Sequence, residues 1–172
     1  MTFVPCTENE HGPAILAILN HAIVHTTALY EYQPRPAESI RTWFESKRKG
    51  HFPVIGAMEN GTLLGFASYG AFRAYPAFKY TVEHSVYVHH EHQRQGVGRE
   101  LLKRLIERAR EQDYHVLVGV IDADNRVSIQ LHEKFGFAHA GIIKQAGYKF
   151  GRWLDAVFYQ LTLSTPLEPK EG

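Results

Sequence analysis

The chain has 172 residues, with 19 lysine and arginine residues against 18 acidic residues and a formal net charge of +1 at pH 7. This balance argues against a general binder of nucleic acid or other polyanions, so any basic site has to be local. With 44% hydrophobic residues, the length suits one domain with a substantial core. We place that domain at residues 1–164 and a flexible tail at residues 165–172.

A single cysteine, Cys6, excludes an internal disulfide and a cysteine-based zinc site. The first residues lack a basic segment followed by an apolar run, and no apolar stretch approaches the length that spans a membrane. These features predict a cytoplasmic protein with no membrane partner.

The first half of the chain predicts two helices and a hairpin. Thr7–Glu10 has the form of a capping box, and apolar residues at helical spacing follow it. A second helix is predicted from Pro36 to a stop at Gly50. Asn60-Gly61 then supplies the two positive φ angles of a type I′ turn between two short strands.

The second half predicts strands around one long and one short helix. An amphipathic helix follows a glycine turn directly, because Leu101, Leu105 and Ala109 recur at helical spacing. The remaining predicted elements are strands at 81–88, 116–121, 137–143 and 153–163, a helix at 125–135, and a connection at 147–152. This order indicates a mixed α/β sheet.

The glycine turn is the most informative segment, because it joins a strand to a helix. Gly96 and Gly98 let the backbone turn tightly and leave its N–H groups uncovered by side chains. Unpaired N–H groups at a helix start, together with the helix dipole, bind phosphate oxygens. Arg94 and Arg99 flank the turn and add positive charge, so we predict a pyrophosphate site.

Three other interpretations compete with this one. A dinucleotide-binding fingerprint would have a third glycine where Leu101 stands, although Asp122 does end the next strand as that motif requires. A nucleotide triphosphatase loop fails, since Gly98 is followed by Arg99 and Glu100 rather than by lysine and a hydroxyl. A purely structural turn stays open on the local residues alone.

Two longer motifs decide between these interpretations. Residues 93–98 have the form Gln/Arg-x-x-Gly-x-Gly/Ala after an aliphatic strand, and Asn125–Phe137 has the form Asn-x-x-Ser-x-x-Leu/Ala-x-x-x-x-Gly-Phe. In this order they resemble the Gcn5-related N-acetyltransferase superfamily. Segments 65–70, 81–88 and 149–155 also resemble its phosphinothricin and methionine sulfoximine acetyltransferase branch, and the match runs roughly from Thr7 to Leu163.

The resemblance implies a GNAT-like fold: a mostly antiparallel sheet with a splayed pair of parallel strands, and about four helices. It also implies acetyl-CoA as co-substrate. Backbone groups of Val86, Tyr87 and Val88 would bond the pantetheine arm, and one of these N–H groups would support the thioester oxygen. Asn125 would also bond this arm, or act as a helix N-cap. The pyrophosphate would lie on the turn formed by Arg94, Gln95, Gly96, Val97, Gly98 and Arg99.

Catalysis needs a neutral amine, so a base has to remove a proton from the ammonium. Glu83 is the candidate base, because burial beside a cofactor would raise its proton affinity. The leaving thiolate needs an acid, and His132 is the candidate at a position where many superfamily members have tyrosine. A structural role in packing the helix explains His132 equally well. For His84, a hydrogen-bonded histidine in the core is the simpler interpretation.

The branch resemblance places a small amino-acid-like acceptor near Arg73, Ala74, Tyr75, Glu83, His84 and Ser85. A guanidinium such as that of Arg73 can hold a carboxylate in a bidentate grip, although a surface arginine is the plain alternative. The branch also implies a homodimer, in which the Lys149–Trp153 loop would reach the partner's site. Histidines 89, 90 and 92 lack ligands from a second strand, so we expect no metal.

Other functions stay open within this fold. The acceptor could instead be a protein N-terminus, a lysine or a polyamine, although a polyamine site should carry converging acids and a peptide site should be an open groove. A non-catalytic coenzyme A-binding module is the third alternative, in which Glu83 would have no role in any reaction.

Overall fold

A computed structural model describes residues Met1–Glu171; Gly172, the end of the predicted tail, lies outside the described residues. Within this range the chain forms seven strands, four α-helices and two 3-10 helices at Pro76–Phe78 and His90–His92. The elements are β1 (Thr2–Pro5), α1 (Glu8–His25), α2 (Ser39–Lys49), β2 (Val54–Glu59), β3 (Thr62–Ala71), β4 (Thr81–Val88), α3 (Val97–Glu111), β5 (Val116–Asp122), α4 (Arg126–Lys134), β6 (Ala138–Lys149) and β7 (Arg152–Thr162).

The strands follow the order β1-β2-β3-β4-β5-β7-β6 in a mixed sheet. The β4–β5 pair is parallel, and the β1–β2, β2–β3, β5–β7 and β6–β7 pairs are antiparallel. The parallel register comprises three pairs and ends at Glu83↔Val118, whereas β4 continues to Val88. This arrangement confirms the predicted fold class, including a parallel pair that separates after a short stretch.

The described chain divides into two compact units, and the prediction of one domain at 1–164 stays a prediction. The first unit contains residues 1–70 and 85–105. Its core forms where the apolar stripes of α1 and α2 pack on β2 and β3, and its members are Ile15, Ile18, Leu19, Phe44, Val54, Leu63 and Phe66. Cap geometry sets the start of α1, since the Thr7 side chain accepts a hydrogen bond from the Glu10 N–H.

The second unit contains residues 71–84 and the chain from 106 onward. Its buried apolar residues include Val82, Leu117, Phe137, Leu154 and Tyr159. The predicted tail is hydrogen-bonded at two points within this unit: His115 Nδ1 lies 2.8 Å from Thr165 O, and the Lys170 N–H donates to Tyr80 Oη at 3.0 Å.

Three element boundaries differ from the sequence-based expectations. The helix predicted from Pro36 begins at Ser39, and β1 at Thr2–Pro5 was not predicted. The connection predicted at 147–152 was wrong, because Gly147, Tyr148 and Lys149 pair with β7 and the turn is Phe150-Gly151. Positive φ angles of 52° and 73° at this turn let the strands continue to it.

Candidate active site

The predicted phosphate turn has the backbone conformation that anion binding requires. Arg94 and Gly96 adopt left-handed φ angles of 61° and 82°, and a Cβ at Gly96 would meet no atom within 4 Å. The Glu100 N–H donates to Gly96 O at 3.1 Å, so the N–H groups just before it have no acceptor within the helix. Buried Val97 anchors the start of α3, while Arg94, Gln95, Gly96 and Arg99 are exposed. The turn therefore fits a diphosphate.

Strand β4 supplies the backbone predicted to bind the pantetheine arm. Ser85, Val86, Tyr87 and Val88 are half-buried, and they follow the last residue that pairs with β5. A Cβ at Gly65 would lie 2.6 Å from Tyr87 O, so only glycine lets β3 approach this part of β4 so closely. Sequence reasoning assigned no such role to Gly65.

Glu83 and Arg73 form an electrostatic pair in the second unit. Burial raises the pKa of the Glu83 carboxyl, and the positive charge of Arg73 opposes that rise. The residue as a whole is solvent-exposed, so this desolvation of its carboxyl is only partial. The Arg73 guanidinium lies 5.4 Å from the Phe72 ring, and neighbouring Tyr75 is 73% exposed. The exposed loop that carries Arg73 is therefore both charged and aromatic.

His84 and His132, the two histidines predicted near the reaction, form a buried pair. Their Nε2 atoms are 2.9 Å apart, and His132 Nδ1 lies 2.7 Å from Ser128 O. A carbonyl only accepts, so His132 carries its proton on Nδ1 and its Nε2 must accept from the His84 Nε2–H. This assignment leaves the lone pair of His84 on Nδ1, and among residues 1–171 that nitrogen is the buried side-chain polar atom without a hydrogen-bond partner.

The pair is neutral near pH 7 because its surroundings disfavour positive charge. Burial lowers the pKa of His84 to about 3, and repulsion from His132 acts in the same direction. The Val118 backbone opposes this shift, but it provides only a weak contact, since His84 Nδ1 makes no hydrogen bond of normal geometry. Burial also lowers the pKa of His132. Glycine at 119 makes room for both rings, since a Cβ there would lie 3.0 Å from His84 Cε1.

Asn125 is the N-cap of α4, because its Oδ1 accepts a hydrogen bond of 3.1 Å from the Ser128 N–H. Its side-chain amide donors can still bond a pantetheine carbonyl. Two ion pairs connect the turn before Asn125 to β7: the Arg152 guanidinium lies 3.4 Å from Asp122 Oδ2 and 3.0 Å from Asp124 Oδ2. Sequence analysis missed this ion-pair network, whose partners lie about thirty residues apart.

Histidines of the first unit gather in a cluster that the sequence did not predict. His21 of α1 stacks on His90 with ring centroids 3.9 Å apart, and His89 lies 4.4 Å from His90. Spacing along the chain gives no signal for this contact, because nearly seventy residues separate α1 from the turn.

No helix in the described range, residues 1–171, combines the length and the apolar character needed to cross a lipid bilayer.

The β4–β5 register ends at Glu83, which carries a carboxylate, and within the first unit a glycine turn leads directly into α3. Comparison with known proteins shows which family has this order of elements. The acetyltransferase (GNAT) family model matches residues 18–137, and the chain belongs to this family. This result confirms the resemblance noted in the sequence and identifies the protein as an acetyl-CoA-dependent N-acetyltransferase.

The sequence matches to named relatives extend over most of the chain. The protein is 45% identical to the L-amino acid N-acyltransferase MnaT of Escherichia coli, and 44% identical to the L-methionine sulfoximine/L-methionine sulfone acetyltransferase of Salmonella typhimurium. Each match covers 91% of both chains. The solved phosphinothricin acetyltransferase of Sinorhizobium meliloti in complex with acetyl-CoA is 29% identical with a TM-score of 0.93, covering 99% of this chain and 94% of that one.

Proposed function

We propose that the protein transfers the acetyl group of acetyl-CoA to the amine of a small amino-acid-like acceptor, by direct attack in a ternary complex. Acceptors of the methionine sulfoximine, methionine sulfone or phosphinothricin type fit best. The observation that carries this proposal is the position of Glu83 at the end of the β4–β5 register, where the charge of Arg73 acts on its carboxyl. A relative that acetylates methionine sulfoximine and sulfone at 44% identity supports the choice of acceptor.

In this mechanism Glu83 prepares the nucleophile. Its carboxylate takes a proton from the acceptor ammonium, directly or through one water, because an ammonium has no lone pair for attack. The freed amine forms the new C–N bond at the thioester carbonyl, and the C–S bond then breaks. Backbone N–H groups at Val86–Val88 would stabilise the oxyanion between these steps. The products are the N-acetylated acceptor and coenzyme A, with one proton released overall.

The pyrophosphate of the cofactor is proposed to bind to the first unit. Main-chain N–H groups of Arg94–Arg99 would hold the pyrophosphate, and the charges of Arg94 and Arg99 would strengthen this contact. Asn125 would donate to the pantetheine arm. Acetyl transfer by a carboxylate base and main-chain donors needs no metal, and we propose none for the reaction.

His132 remains the candidate acid, but it can act only after its hydrogen bond to His84 has broken. In the neutral pair its Nδ1–H is donated to Ser128 O and its Nε2 accepts from His84, so no proton is free to give. His132 can donate to the thiolate only as an imidazolium, after the bond to His84 has broken. The lowered pKa of His132 works against that form. His84 is accordingly assigned to positioning His132 rather than to binding the acceptor.

Arg73 is proposed to grip the carboxylate of the acceptor, since its guanidinium presents paired N–H donors. Ala74 and Tyr75 follow it on the same exposed loop and would line the acceptor site. Half-buried Ser85, two residues after Glu83, would lie on the same face of β4. A bidentate grip favours amino acids over simple amines.

A homodimer is part of the same proposal. Strand β6 lies at one end of the strand order, and apolar side chains of the β6–β7 hairpin are exposed. These are Ile142, Ile143, Tyr148, Phe150 and Trp153, with exposures of 44% to 58%. Exposed apolar residues on an edge strand are typical of a surface that pairs with another chain. Light scattering after size exclusion tests the dimer; the cytoplasmic location stays a prediction.

The proposed reaction is tested by coenzyme A release in the presence of different amines. Methionine sulfoximine, methionine sulfone and phosphinothricin should accelerate thiol release, whereas spermidine and a peptide with a free N-terminus should not. Glu83→Gln should abolish the acceleration while acetyl-CoA still binds. Acceleration by the peptide or the polyamine alone would overturn the acceptor class, and unchanged turnover in Glu83→Gln would overturn the base.

A further inference from the structure

The histidine cluster of the first unit is not used by the acetyl transfer. His89, His90 and His92 belong to the turn after β4, whereas His21 and His25 come from α1. The His21 and His25 rings are tilted by 41° with their centroids 4.5 Å apart, so His25 also contacts the cluster. The cluster therefore brings two separate elements together through imidazole rings.

Part of this cluster has the geometry of a metal site. His89, His90 and Glu91 each offer one ligand atom, and these three atoms lie within 4.8 Å of one another. Ligand atoms around a tetrahedral zinc ion at about 2.1 Å lie about 3.4 Å apart, so modest side-chain rotations would complete the site. Two imidazoles and one carboxylate form a donor set that zinc accepts, with water as the fourth ligand.

A metal ion would displace little of the existing hydrogen bonding in the cluster. His89 Nδ1 accepts a long hydrogen bond of 3.3 Å from the Glu91 N–H, so coordination would replace only a weak contact.

We propose that His89, His90 and Glu91 bind one zinc ion, with His21 stacked against the His90 ring to fix its orientation. From the sequence no metal was expected, because the three histidines of the turn lack ligands from a second strand. The proposed ligands all come from the turn itself, and His21 of α1 contacts His90 without being a ligand. The ion would fix the segment that precedes the phosphate turn, and it would not take part in the transfer chemistry.

The test is zinc binding by the full chain, produced without a histidine tag and freed of metal, and measured by calorimetry with zinc chloride. The wild type should bind one ion per chain, and zinc should raise its Tm, because a ligand specific for the folded state stabilises it. His90→Ala and Glu91→Gln each remove a ligand and should weaken binding at least about tenfold, since the loss of an outer-shell partner alone costs about 10–100-fold. His139→Gln, which removes an exposed histidine of β6, is the matched control and should bind like the wild type.

Circular dichroism establishes that each variant is folded before its affinity is compared. Equal zinc affinity in the wild type and in both ligand variants would overturn the site, as would the lack of saturable binding in the wild type. His21→Phe preserves a stacked ring without a nitrogen and should retain binding. Loss of binding in His21→Phe would overturn the stacking role given to His21. Each readout is independent of acetyl transfer.

Discussion

Gly119 is the position at which one added methyl group tests the buried histidine pair. A Cβ at residue 119 would lie 3.0 Å from His84 Cε1 and 3.1 Å from His132 Nε2, both closer than ordinary van der Waals contact. Both rings are buried, so neither can move without disturbing its neighbours, and such overpacking costs about 1–3 kcal/mol. Each kcal/mol shifts Tm by about 2–4 °C in a domain of this size. We therefore expect Gly119→Ala to lower Tm by about 2–12 °C.

The matched control is Gly70→Ala in β3. A Cβ at residue 70 would meet only Lys47 Nζ, at 3.7 Å, which is an ordinary contact. Alanine also reduces the entropy of the unfolded chain, so this variant should be neutral or slightly more stable. Thermal unfolding followed by circular dichroism measures both variants. If Gly119→Ala melts at the same temperature as Gly70→Ala, the two rings do not lie against β5 as described.

Three further predictions concern the reaction. Glu83→Gln should lower kcat by about 10²–10⁴-fold, the usual share of a general base, with calorimetry showing unchanged acetyl-CoA affinity. Arg73→Gln should raise KM for the acceptor. It should also move the acidic limb of the rate profile to higher pH, because Arg73 holds down the pKa of Glu83 and the base must be deprotonated. An acidic limb at the same pH as in the wild type would contradict the interaction between Arg73 and Glu83. Arg152→Ala should raise KM for acetyl-CoA more than it changes kcat, because the ion pair between Arg152 and Asp122 fixes the turn before Asn125. Arg152→Lys keeps the positive charge and should raise this KM less than Arg152→Ala does.

Local signals account for the parts of the fold that the sequence predicted well. Strand β4 has the predicted bounds, 81–88, because alternating β-branched and polar residues end at a polar turn. The Asn60-Gly61 turn has φ angles of 49° and 78°, as its residues require. The glycine turn before α3 was predictable for the same reason, since its glycines and the first apolar residues of the amphipathic helix are neighbours in the sequence. Its binding of phosphate stays a prediction.

Features that depend on long-range pairing were harder to predict. Strand β6 continues through Gly141 and Gln145 by register shifts, and the Gln145 N–H donates to the Asp155 side chain at 2.8 Å. From short-range patterns this strand was expected to end at residue 143, with a glycine- and aromatic-containing connection at 147–152. Likewise the contact between His84 and His132 joins residues 48 positions apart. The family motif placed both histidines near the reaction, but only the fold shows that they bond each other.

His84 also gives the protein a defined sensitivity to acid. Burial lowers its folded-state pKa from 6.5 to about 3, so the unfolded chain binds a proton over a pH range in which the folded chain does not. The contribution of His84 to the free energy of unfolding is therefore fully present above about pH 6.5 and is lost as the pH falls toward about 3. Between about pH 7.5 and about pH 5 this loss amounts to about 2 kcal/mol. His84→Gln keeps a donor for His132 but does not titrate, so its free energy of unfolding in urea should fall less between these two pH values. His139→Gln, an exposed control, should keep the wild-type dependence. The same pH dependence in His84→Gln and in the wild type would show that His84 is not held neutral in the folded protein.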